Sequence, residues 1–243
     1  MALLSRSHSG QASGTGTTCV KVCGAVAPAE IDALAANRVD LVGLWLAVPG
    51  GPHDLPPERW RVLAEHAAGT EGGPAPVLVT FAKDAELLRV ALASAPVRWV
   101  QLHGYPTPGM VRKIKALELG GDQVKVIKVL HVMGGECVEA SLIGAYEKAG
   151  VDVFLFDVVT EDGRVGSTGQ ALDPAAVTPL LDRLSRPFLL AGGISDENRG
   201  RYASLTEHPQ FLGIDVDTNA RDGGGAISAE RVRSITQTWR EHG

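Results

Sequence analysis

The chain alternates eight times between a short apolar segment and an amphipathic segment with helical spacing. The apolar segments predict strands at 19–23, 39–46, 76–81, 97–102, 124–130, 151–156, 187–190 and 211–216. The other segments predict helices at 28–37, 57–68, 85–94, 108–119, 138–149, 174–184, 196–204 and 228–239. Strands that are each followed by a helix lie parallel and are covered on both faces. Eight such units predict an α/β fold, a single (β/α)₈ TIM barrel.

A doubly wound open sheet is the alternative architecture. Its dinucleotide-binding form carries a Gly-x-Gly-x-x-Gly turn after the first strand, and no such turn follows residue 23. Polar residues also follow many strands of this chain, whereas an open sheet gathers them where its strand order reverses. In a TIM barrel the active site lies at the carboxyl ends of the strands. Those ends carry Cys23, His103, Asp157, Gly192-Gly193 and the run 215–219.

The charge of the chain argues against nucleic acid and anionic membranes as partners. The formal net charge is −5 and the pI is about 5.8, with neither a basic run nor a helical face rich in Lys and Arg. We therefore expect a small-molecule substrate and no nucleic-acid or membrane partner. The sequence leaves open whether the protein is a monomer or a homodimer.

The cysteines do not have the spacing of a disulfide framework or a metal site. Cys19, Cys23 and Cys137 are odd in number, lack a CxxC pair and place two thiols on one strand face. We therefore expect reduced thiols, no metal and no cofactor, in agreement with a reducing cytosol.

The first 18 residues are rich in Ser, Gly and Thr, and their only apolar patch is Ala2-Leu3-Leu4. This patch is too short for the core of a signal peptide, and no run reaches the ~20 apolar residues of a membrane-spanning helix. We expect a flexible leader at 1–18, one barrel domain at 19–243 and a cytoplasmic location.

The first strand places ionisable side chains where a barrel strand is normally apolar. Strand residues alternate between faces, so Cys19, Lys21 and Cys23 share one face. A buried ammonium is costly unless it is paired or used, so Lys21 marks this strand as part of a candidate site.

Five short motifs, in order and at the expected strand ends, resemble those of one known family. They are Lys21-Val-Cys-Gly24, Gln101-Leu-His-Gly104, Phe156-Asp157, Gly166-Ser-Thr-Gly169, and Ala191-Gly-Gly-Ile194 with Glu197-Asn198. From residue 19 to about residue 240 the chain therefore resembles the phosphoribosylanthranilate isomerases.

The resemblance implies a (β/α)₈ barrel enzyme that performs an Amadori rearrangement in tryptophan biosynthesis. The substrate of that family is an N-(5-phosphoribosyl) aromatic amine, and the product is the 1-deoxyribulose derivative. An acid protonates the furanose oxygen so that the sugar opens to a Schiff base, and a base removes the proton at C2. The matching motifs imply Cys23 as the base and Asp157 as the acid.

The chemistry of these residue types agrees with the implied roles. A thiol with a pKa of about 8.5 becomes a useful base when a cation favours the thiolate, and Lys21 lies on the same strand face as Cys23. A carboxyl group acts as an acid near neutral pH only when burial or negative charge raises its pKa. The apolar run 154–156 makes burial of Asp157 feasible. The structural alternatives are a core cysteine and a capping aspartate.

Further residues are candidates for binding the substrate. Gly192 and Gly193 precede a helix start, so they form either a tight turn or a phosphate cradle of free backbone amides. Gln101 and His103 share a strand face and either line the site or form a structural polar layer. Lys128, late in strand five, is either a site residue or half of a buried ion pair.

The chain departs from the family pattern at both ends of the implied substrate. His53 stands where the family has an arginine for the aromatic carboxylate, and histidine lacks the bidentate fork of arginine. Trp45 offers a flat wall for an aromatic or sugar ring. After strand eight the family has a Ser and a Gly that help to bind phosphate. In that stretch this chain keeps the family's first aspartate as Asp215 but departs from the pattern at Asp217, Asn219 and Arg221.

These departures predict a changed substrate. Asp217 brings a carboxylate close to a phosphate, Asn219 replaces a glycine that permits close approach, and Arg221 offers compensating charge. We therefore expect an Amadori-type isomerase that acts on an altered aminoaldose, with unchanged phosphoribosylanthranilate isomerase activity as a sub-case. Two alternatives remain: a barrel enzyme of a specialised pathway that catalyses an elimination or cyclisation, and a non-catalytic metabolite-binding barrel.

Overall fold

A computed structural model describes residues 17–159 and 171–240 of the chain. The predicted flexible leader therefore lies outside the described residues, apart from residues 17 and 18. The loop motif Gly166-Ser-Thr-Gly169 also lies outside them.

Eight parallel strands close into a barrel, so the sequence-based prediction of a (β/α)₈ TIM barrel is confirmed. Around the barrel the strand order is β4-β3-β2-β1-β8-β7-β6-β5, and β5 pairs with β4 to close the sheet. The strands are β1 (Cys19–Cys23), β2 (Leu41–Trp45), β3 (Ala75–Thr80), β4 (Trp99–Leu102), β5 (Lys125–Met133), β6 (Val153–Val158), β7 (Phe188–Leu190) and β8 (Phe211–Val216).

Helices cover the outside of this barrel. They are α1 (Pro28–Ala36), α2 (Pro57–Gly69), α3 (Ala85–Ser94), α4 (Pro108–Lys115), α5 (Ile143–Ala149), α6 (Pro174–Val177), α7 (Ala203–Thr206) and α8 (Ala229–Arg240). None of the helices within residues 17–159 and 171–240 has the length and apolar character needed to cross a membrane.

Local side-chain contacts define several of the helix starts. Asp84 accepts a hydrogen bond from the backbone N–H of Glu86 at 2.9 Å and so caps α3. Thr107 caps α4 through the backbone N–H of Met110 at 3.3 Å, and proline follows it at the first helical position.

The sixth and seventh helices are shorter than the sequence predicts. After α6 the chain continues as a 3₁₀ helix over Thr178–Arg183, because Pro179 has no N–H to continue the α-helical ladder. Before α7, Asn198 accepts a hydrogen bond from the backbone N–H of Ser195 at 2.9 Å, and this local turn replaces the first predicted helical turn. A 3₁₀ helix over Arg199–Tyr202 then leads into α7.

The fourth and fifth helices also have bounds that differ from the predictions. Helix α4 stops at Lys115, and a small hairpin follows in which Glu118–Leu119 pairs with Asp122–Gln123. Strand β5 continues beyond its predicted end, and Glu136–Cys137 folds back to pair with its last residues. Helix α5 therefore begins only after this second hairpin.

Side chains of the strands alternate between two apolar layers. One layer fills the barrel, and the other lies between the strands and the helices. The inner layer includes Cys19, Leu41, Val77, Ile127, Val153 and Leu189, all nearly fully buried. Because this layer fills the amino-terminal part of the barrel, the open space lies at the carboxyl ends of the strands.

Strands β1 and β8 approach each other so closely that only glycine fits at one position. Cys19 pairs with Gly213, and a Cβ on Gly213 would lie 1.9 Å from the carbonyl oxygen of Cys19. The obstruction is backbone, so it cannot rotate away as a side chain would. The contact fixes how tightly the barrel closes between its first and last strands.

We expect Gly213→Ala to lower the free energy of unfolding by about 1–3 kcal/mol, because β1 and β8 must separate to admit the methyl group. The matched control is Gly144→Ala in α5, where an added Cβ meets no atom within 4 Å. That substitution should be neutral or stabilising by up to about 1 kcal/mol, because alanine favours helix. Urea unfolding of both variants measures the difference, and equal midpoints would show that the β1–β8 contact is not restrictive.

Candidate active site

A solvent-connected cavity opens at the carboxyl ends of the strands, where small-molecule sites of TIM barrels lie. Ten of the fourteen residues that the sequence marks as site candidates line it: Cys23, Trp45, Gln101, His103, Asp157, Gly192, Gly193, Asp215, Asp217 and Asn219. The other four are Lys21, His53, Lys128 and Arg221, which lie behind the cavity wall or elsewhere.

Cys23 ends β1, and its thiol is held in a narrow space. The indole Nε1 of Trp45 donates a hydrogen bond to Sγ at 3.1 Å. A side chain on Gly43 would occupy this space, because its Cβ would lie 2.6 Å from Sγ. Burial raises the pKa of Cys23 to about 12, although the ammonium of Lys21 and the Trp45 hydrogen bond act in the opposite direction. The resting side chain is therefore a thiol at neutral pH.

Lys21 is fully buried beneath the cavity and forms an ion pair. Its Nζ lies 2.7 Å from Oδ2 of Asp215, which is the residue opposite it on β8. Burial alone would lower the pKa of Lys21, but the Asp215 carboxylate outweighs this effect and holds the pKa above its ordinary value. The site therefore contains a permanent cation directly behind Cys23.

Two buried acceptors at the cavity have no hydrogen-bond partner within residues 17–159 and 171–240. They are Oδ1 of Asp215 and Oε1 of Gln101. Leaving a buried acceptor unpaired costs about 1–3 kcal/mol, so a donor that reaches either atom would stabilise the site. Hydroxyl groups of a sugar are donors of the right kind.

Asp157 lies near the end of β6 and faces the same cavity. Its Oδ1 accepts a hydrogen bond from the backbone N–H of Val158 at 2.8 Å, and its Oδ2 lies 3.2 Å from Nε2 of His103. The His103 ring stacks on Phe81 with a centroid distance of 4.7 Å. Two strands, β8 and β7, separate Asp157 from Cys23 around the barrel, so the two side chains approach the cavity from different sides.

The loop after β7 turns its backbone so that its carbonyls are held by amide side chains. Asn198 donates to the carbonyl oxygen of Gly193 at 2.7 Å, and Asn219 donates to Gly193 at 3.1 Å and to Ile194 at 2.9 Å. Gly192 and Gly193 have φ values of 79° and 65°, which favour glycine. None of the described residues accepts a hydrogen bond from the N–H groups of Gly192 and Gly193.

Arg221 lies behind the cavity and links the last strand loop to the end of β1. Its guanidinium donates to the carbonyl oxygens of Cys23 at 3.1 Å and Gly24 at 2.9 Å, and to Oδ1 of Asp217 at 2.8 Å. These hydrogen bonds come from Nε and Nη2 of the guanidinium. Asp217, in contrast, forms part of the cavity lining.

His53 lies beside these residues and not in the cavity lining. Its ring meets Trp45 edge to face at 5.3 Å, and its Nε2 lies 4.0 Å from Asp217. Burial and the neighbouring Arg221 cation lower the pKa of His53. The imidazole is therefore largely neutral near pH 7.

Lys128 lies on the face of β5 that packs against the helices. Its Nζ is 2.8 Å from Oε1 of Glu139 and 4.9 Å from the centre of the Tyr146 ring. Of the two alternatives given by the sequence, the structure shows the buried ion pair, at a distance from the cavity lining.

The sequence analysis did not identify several residues around this cavity. Val79, Phe81 and Thr218 line it, and His131 contacts the outer side of His103. A strand-end rule would have found Phe81, which ends the predicted third strand. Period-two alternation along β5 also places His131 on the same face as Ile127 and Val129, toward the barrel interior.

Comparisons with known proteins agree with this architecture. The family model for N-(5'-phosphoribosyl)anthranilate (PRA) isomerase matches residues 21–238. An N-(5'-phosphoribosyl)anthranilate isomerase 2 from Methanosarcina mazei is 32% identical over 209 residues, which are 85% of this chain and 87% of the relative. An N-(5'-phosphoribosyl)anthranilate isomerase from Synechococcus sp. (strain JA-3-3Ab) is 27% identical over 235 residues, 94% of this chain and 93% of the relative.

A solved structure shows the same fold. The crystal structure of phosphoribosyl anthranilate isomerase from Thermus thermophilus superposes with a TM-score of 0.72 at 24% identity, covering 90% of this chain and 97% of the other. The family model spans nearly all the described residues and includes every strand from β2 to β8. The chain therefore belongs to the N-(5'-phosphoribosyl)anthranilate isomerase family of intramolecular isomerases.

Proposed function

We propose that this protein catalyses the Amadori rearrangement of an N-(5'-phosphoribosyl) aromatic amine, with Cys23 as general base and Asp157 as general acid. The observation that carries the proposal is that a thiol and a carboxyl group face one cavity from different strands. The lining of the same cavity includes Gly192 and Gly193, whose N–H groups have no acceptor among the described residues. The family assignment does not favour the elimination, cyclisation and binding-protein alternatives.

The two groups account for all proton movements of such a reaction. Asp157 gives its proton to the ring oxygen as the bond from that oxygen to C1 breaks, which leaves a Schiff base. Cys23 takes the proton from C2 to give the enolamine. When the enolamine becomes the ketone, C1 takes a proton and the C2 hydroxyl loses one, so that both residues return to their starting forms.

Two neighbours stabilise the thiolate that this mechanism requires. The buried ammonium of Lys21 and the indole N–H of Trp45 both lower the pKa of Cys23. Burial opposes them, as do the carboxylates of Asp215 and Asp217. Because the net effect is a raised pKa, only a small fraction of Cys23 is ionised in the resting enzyme at neutral pH.

The phosphate end of the substrate fits the loop after β7. The N–H groups of Gly192 and Gly193 are donors without acceptors among the described residues, and such groups bind anions. Asn219 supports this arrangement by holding the loop carbonyls. A glycine-to-asparagine departure from the family pattern is thus compatible with phosphate binding.

The aromatic end of the substrate meets a different environment. The charged residues of the described cavity lining are Asp157, Asp215 and Asp217, all of which are acidic. The His53 ring is neutral and packs against Trp45. A carboxylate on the aromatic ring therefore gains little from the described residues, which supports an altered preference at this end.

Cys23→Ser and Asp157→Asn should each lower kcat for N-(5'-phosphoribosyl)anthranilate by about 10² or more, the usual contribution of a general acid or base. Steady-state rates and rescue of a tryptophan auxotroph that lacks this isomerase measure the effect. Cys137→Ser is the matched control, because Cys137 lies outside the cavity lining. Activity retained in Cys23→Ser or Asp157→Asn would refute the assigned pair.

The raised pKa of Cys23 predicts how the thiol reacts with iodoacetamide. Below its pKa the thiolate fraction rises tenfold per pH unit, so the alkylation rate should keep rising from pH 7 to pH 10. A small reference thiol levels off above its pKa of about 8.5. In a Cys137→Ser background, mass spectrometry of tryptic peptides follows Cys23 separately from Cys19, because cleavage after Lys21 places them in different peptides. A plateau below pH 9 would mean that the thiol is not held protonated as the structure indicates.

The acidic lining predicts that the enzyme discriminates only weakly between substrates with and without a carboxylate on the aromatic ring. The ratio of kcat/KM for phosphoribosylanthranilate to that for the same compound without its carboxylate should be below about tenfold, less than one charge-assisted hydrogen bond supplies. His53→Arg should raise this ratio, since arginine presents a bidentate fork. A wild-type ratio above about a hundredfold would instead show that the carboxylate is firmly bound.

A further inference from the structure

Behind Asp157, a row of buried side chains leads from the cavity into the barrel wall. Nε2 of His103 lies 3.2 Å from Oδ2 of Asp157, and Nδ1 of His103 lies 3.2 Å from Nε2 of His131. Nδ1 of His131 lies 2.8 Å from Oε1 of Glu139. We call these four side chains the imidazole row.

The hairpin after β5 brings Glu139 to this place. The chain folds back through Glu136–Cys137, and the backbone N–H of Val138 donates to the carbonyl oxygen of His131 at 2.8 Å. The Glu139 carboxylate then accepts from the backbone N–H of His131 at 2.9 Å and from the Lys128 ammonium at 2.8 Å.

Aromatic rings pack against both imidazoles of the row. Phe81 stacks on His103, and the Tyr105 ring lies 4.2 Å from the His131 ring. Tyr105 adopts a left-handed backbone with a φ of 53° in this position, a conformation that costs a bulky residue energy. His131 is 0% exposed and Glu139 is 4% exposed, so the bonds between them have no competition from solvent.

The Glu139 carboxylate at the far end of the row determines the direction in which the hydrogen bonds run. Burial alone would raise the pKa of Glu139, but the His131 hydrogen bond and the Lys128 ammonium outweigh it and bring the pKa to about 2. An ionised carboxylate only accepts hydrogen bonds. Nδ1 of His131 must therefore carry a hydrogen.

The direction continues to the cavity through both imidazoles. Burial, with the neighbouring Lys128 and His103, lowers the pKa of His131, so its ring is neutral and its Nε2 is an acceptor. Nδ1 of His103 must then donate to it. A neutral His103 would consequently present a bare Nε2 to Asp157, and two acceptors 3.2 Å apart require a proton between them.

We propose that His131 and Glu139 are positioning residues that fix the tautomer of His103 and so hold one acid proton between His103 and Asp157 at the cavity wall. The proton is either on Oδ2 of Asp157 or on Nε2 of His103. In both forms Nδ1 of His103 carries a hydrogen. The consequence for catalysis rests on the proposed function, because the stored proton is the one that Asp157 delivers.

Glu139→Gln tests the proposal because it should reverse the direction of the hydrogen bonds along the imidazole row. The backbone N–H of His131 needs the amide oxygen as its acceptor, which turns the amide NH₂ group toward Nδ1 of His131. His131 must then donate from Nε2, and His103 must accept at Nδ1 and donate from Nε2 to an ionised Asp157. The stored proton is thereby removed without any change in Asp157 or His103.

The measurement is ¹⁵N NMR of the histidine side chains in the free protein, with His103 assigned by comparison with His103→Asn. We expect Nδ1 of His103 to be protonated in the native protein and unprotonated in Glu139→Gln. Because Glu139→Gln leaves the Lys128 ammonium unpaired, Lys128→Met/Glu139→Gln provides a second variant without the buried charge, and it should show the same reversal. Lys128→Met alone should leave the His103 tautomer unchanged.

Either of two NMR results would overturn the proposal. One is an unprotonated Nδ1 of His103 in the native protein, and the other is an unchanged His103 spectrum in both variants that carry Glu139→Gln. These spectra need no substrate, so they remain decisive even if the protein proves inactive on phosphoribosylanthranilate, which would refute only the proposed function.

Kinetics test the catalytic consequence. In a native enzyme that is active, the double variant should lose at least about tenfold in kcat with little change in KM, since the proton and not the binding surface is altered. A parallel rise in KM, or an unchanged kcat with a reversed tautomer, would show that the row does not serve the acid step.

Discussion

The buried ion pair between Lys21 and Asp215 is the interaction on which the site depends. It crosses the seam between β1 and β8, and both partners lie almost entirely out of water. Removing one partner from such a pair leaves an uncompensated charge and costs about 3–5 kcal/mol. Loss of either partner alone would therefore destabilise the barrel at this seam. The same pair sets a cation behind Cys23 and leaves the second Asp215 oxygen without a hydrogen-bond partner among the described residues.

The electrostatic character of the cavity follows from this arrangement. Lys21 and Arg221 are turned into the wall, where they pair with Asp215 and Asp217, while the exposed side of the lining carries carboxylates and a thiol. The phosphate binding that we propose then depends on the backbone N–H groups of Gly192 and Gly193. Such donors have fixed directions, so this end of the site selects for position and not merely for charge.

The sequence predicts the positions of residues at strand ends well. It predicts less well the positions of residues whose place depends on a partner elsewhere in the fold. Cys23 and Asp157 follow apolar runs, and barrel closure brings strand ends together whatever the loops do. Lys128 has the same local appearance as Lys21, yet its side chain leaves β5 on the opposite face, a matter of register that the predicted strand bounds did not resolve. His131 was missed because β5 runs on to Met133, beyond the apolar run that marked it. The sixth and seventh helices are short because of Pro179 and the Asn198 turn. Both residues are visible in the sequence, but the helical periodicity of the surrounding residues led to the prediction of longer helices.

Arg221 has a consequence for the order in which the molecule is assembled. Its guanidinium holds the carbonyls of Cys23 and Gly24, groups that are nearly the whole chain away in sequence. Loop-closure entropy makes such distant contacts late events in folding. The backbone at Cys23 is thus fixed by a contact that forms only when the loop after β8 has reached the end of β1. The position of the Cys23 thiol in the cavity therefore depends on a residue that lies in the loop after the last strand of the barrel.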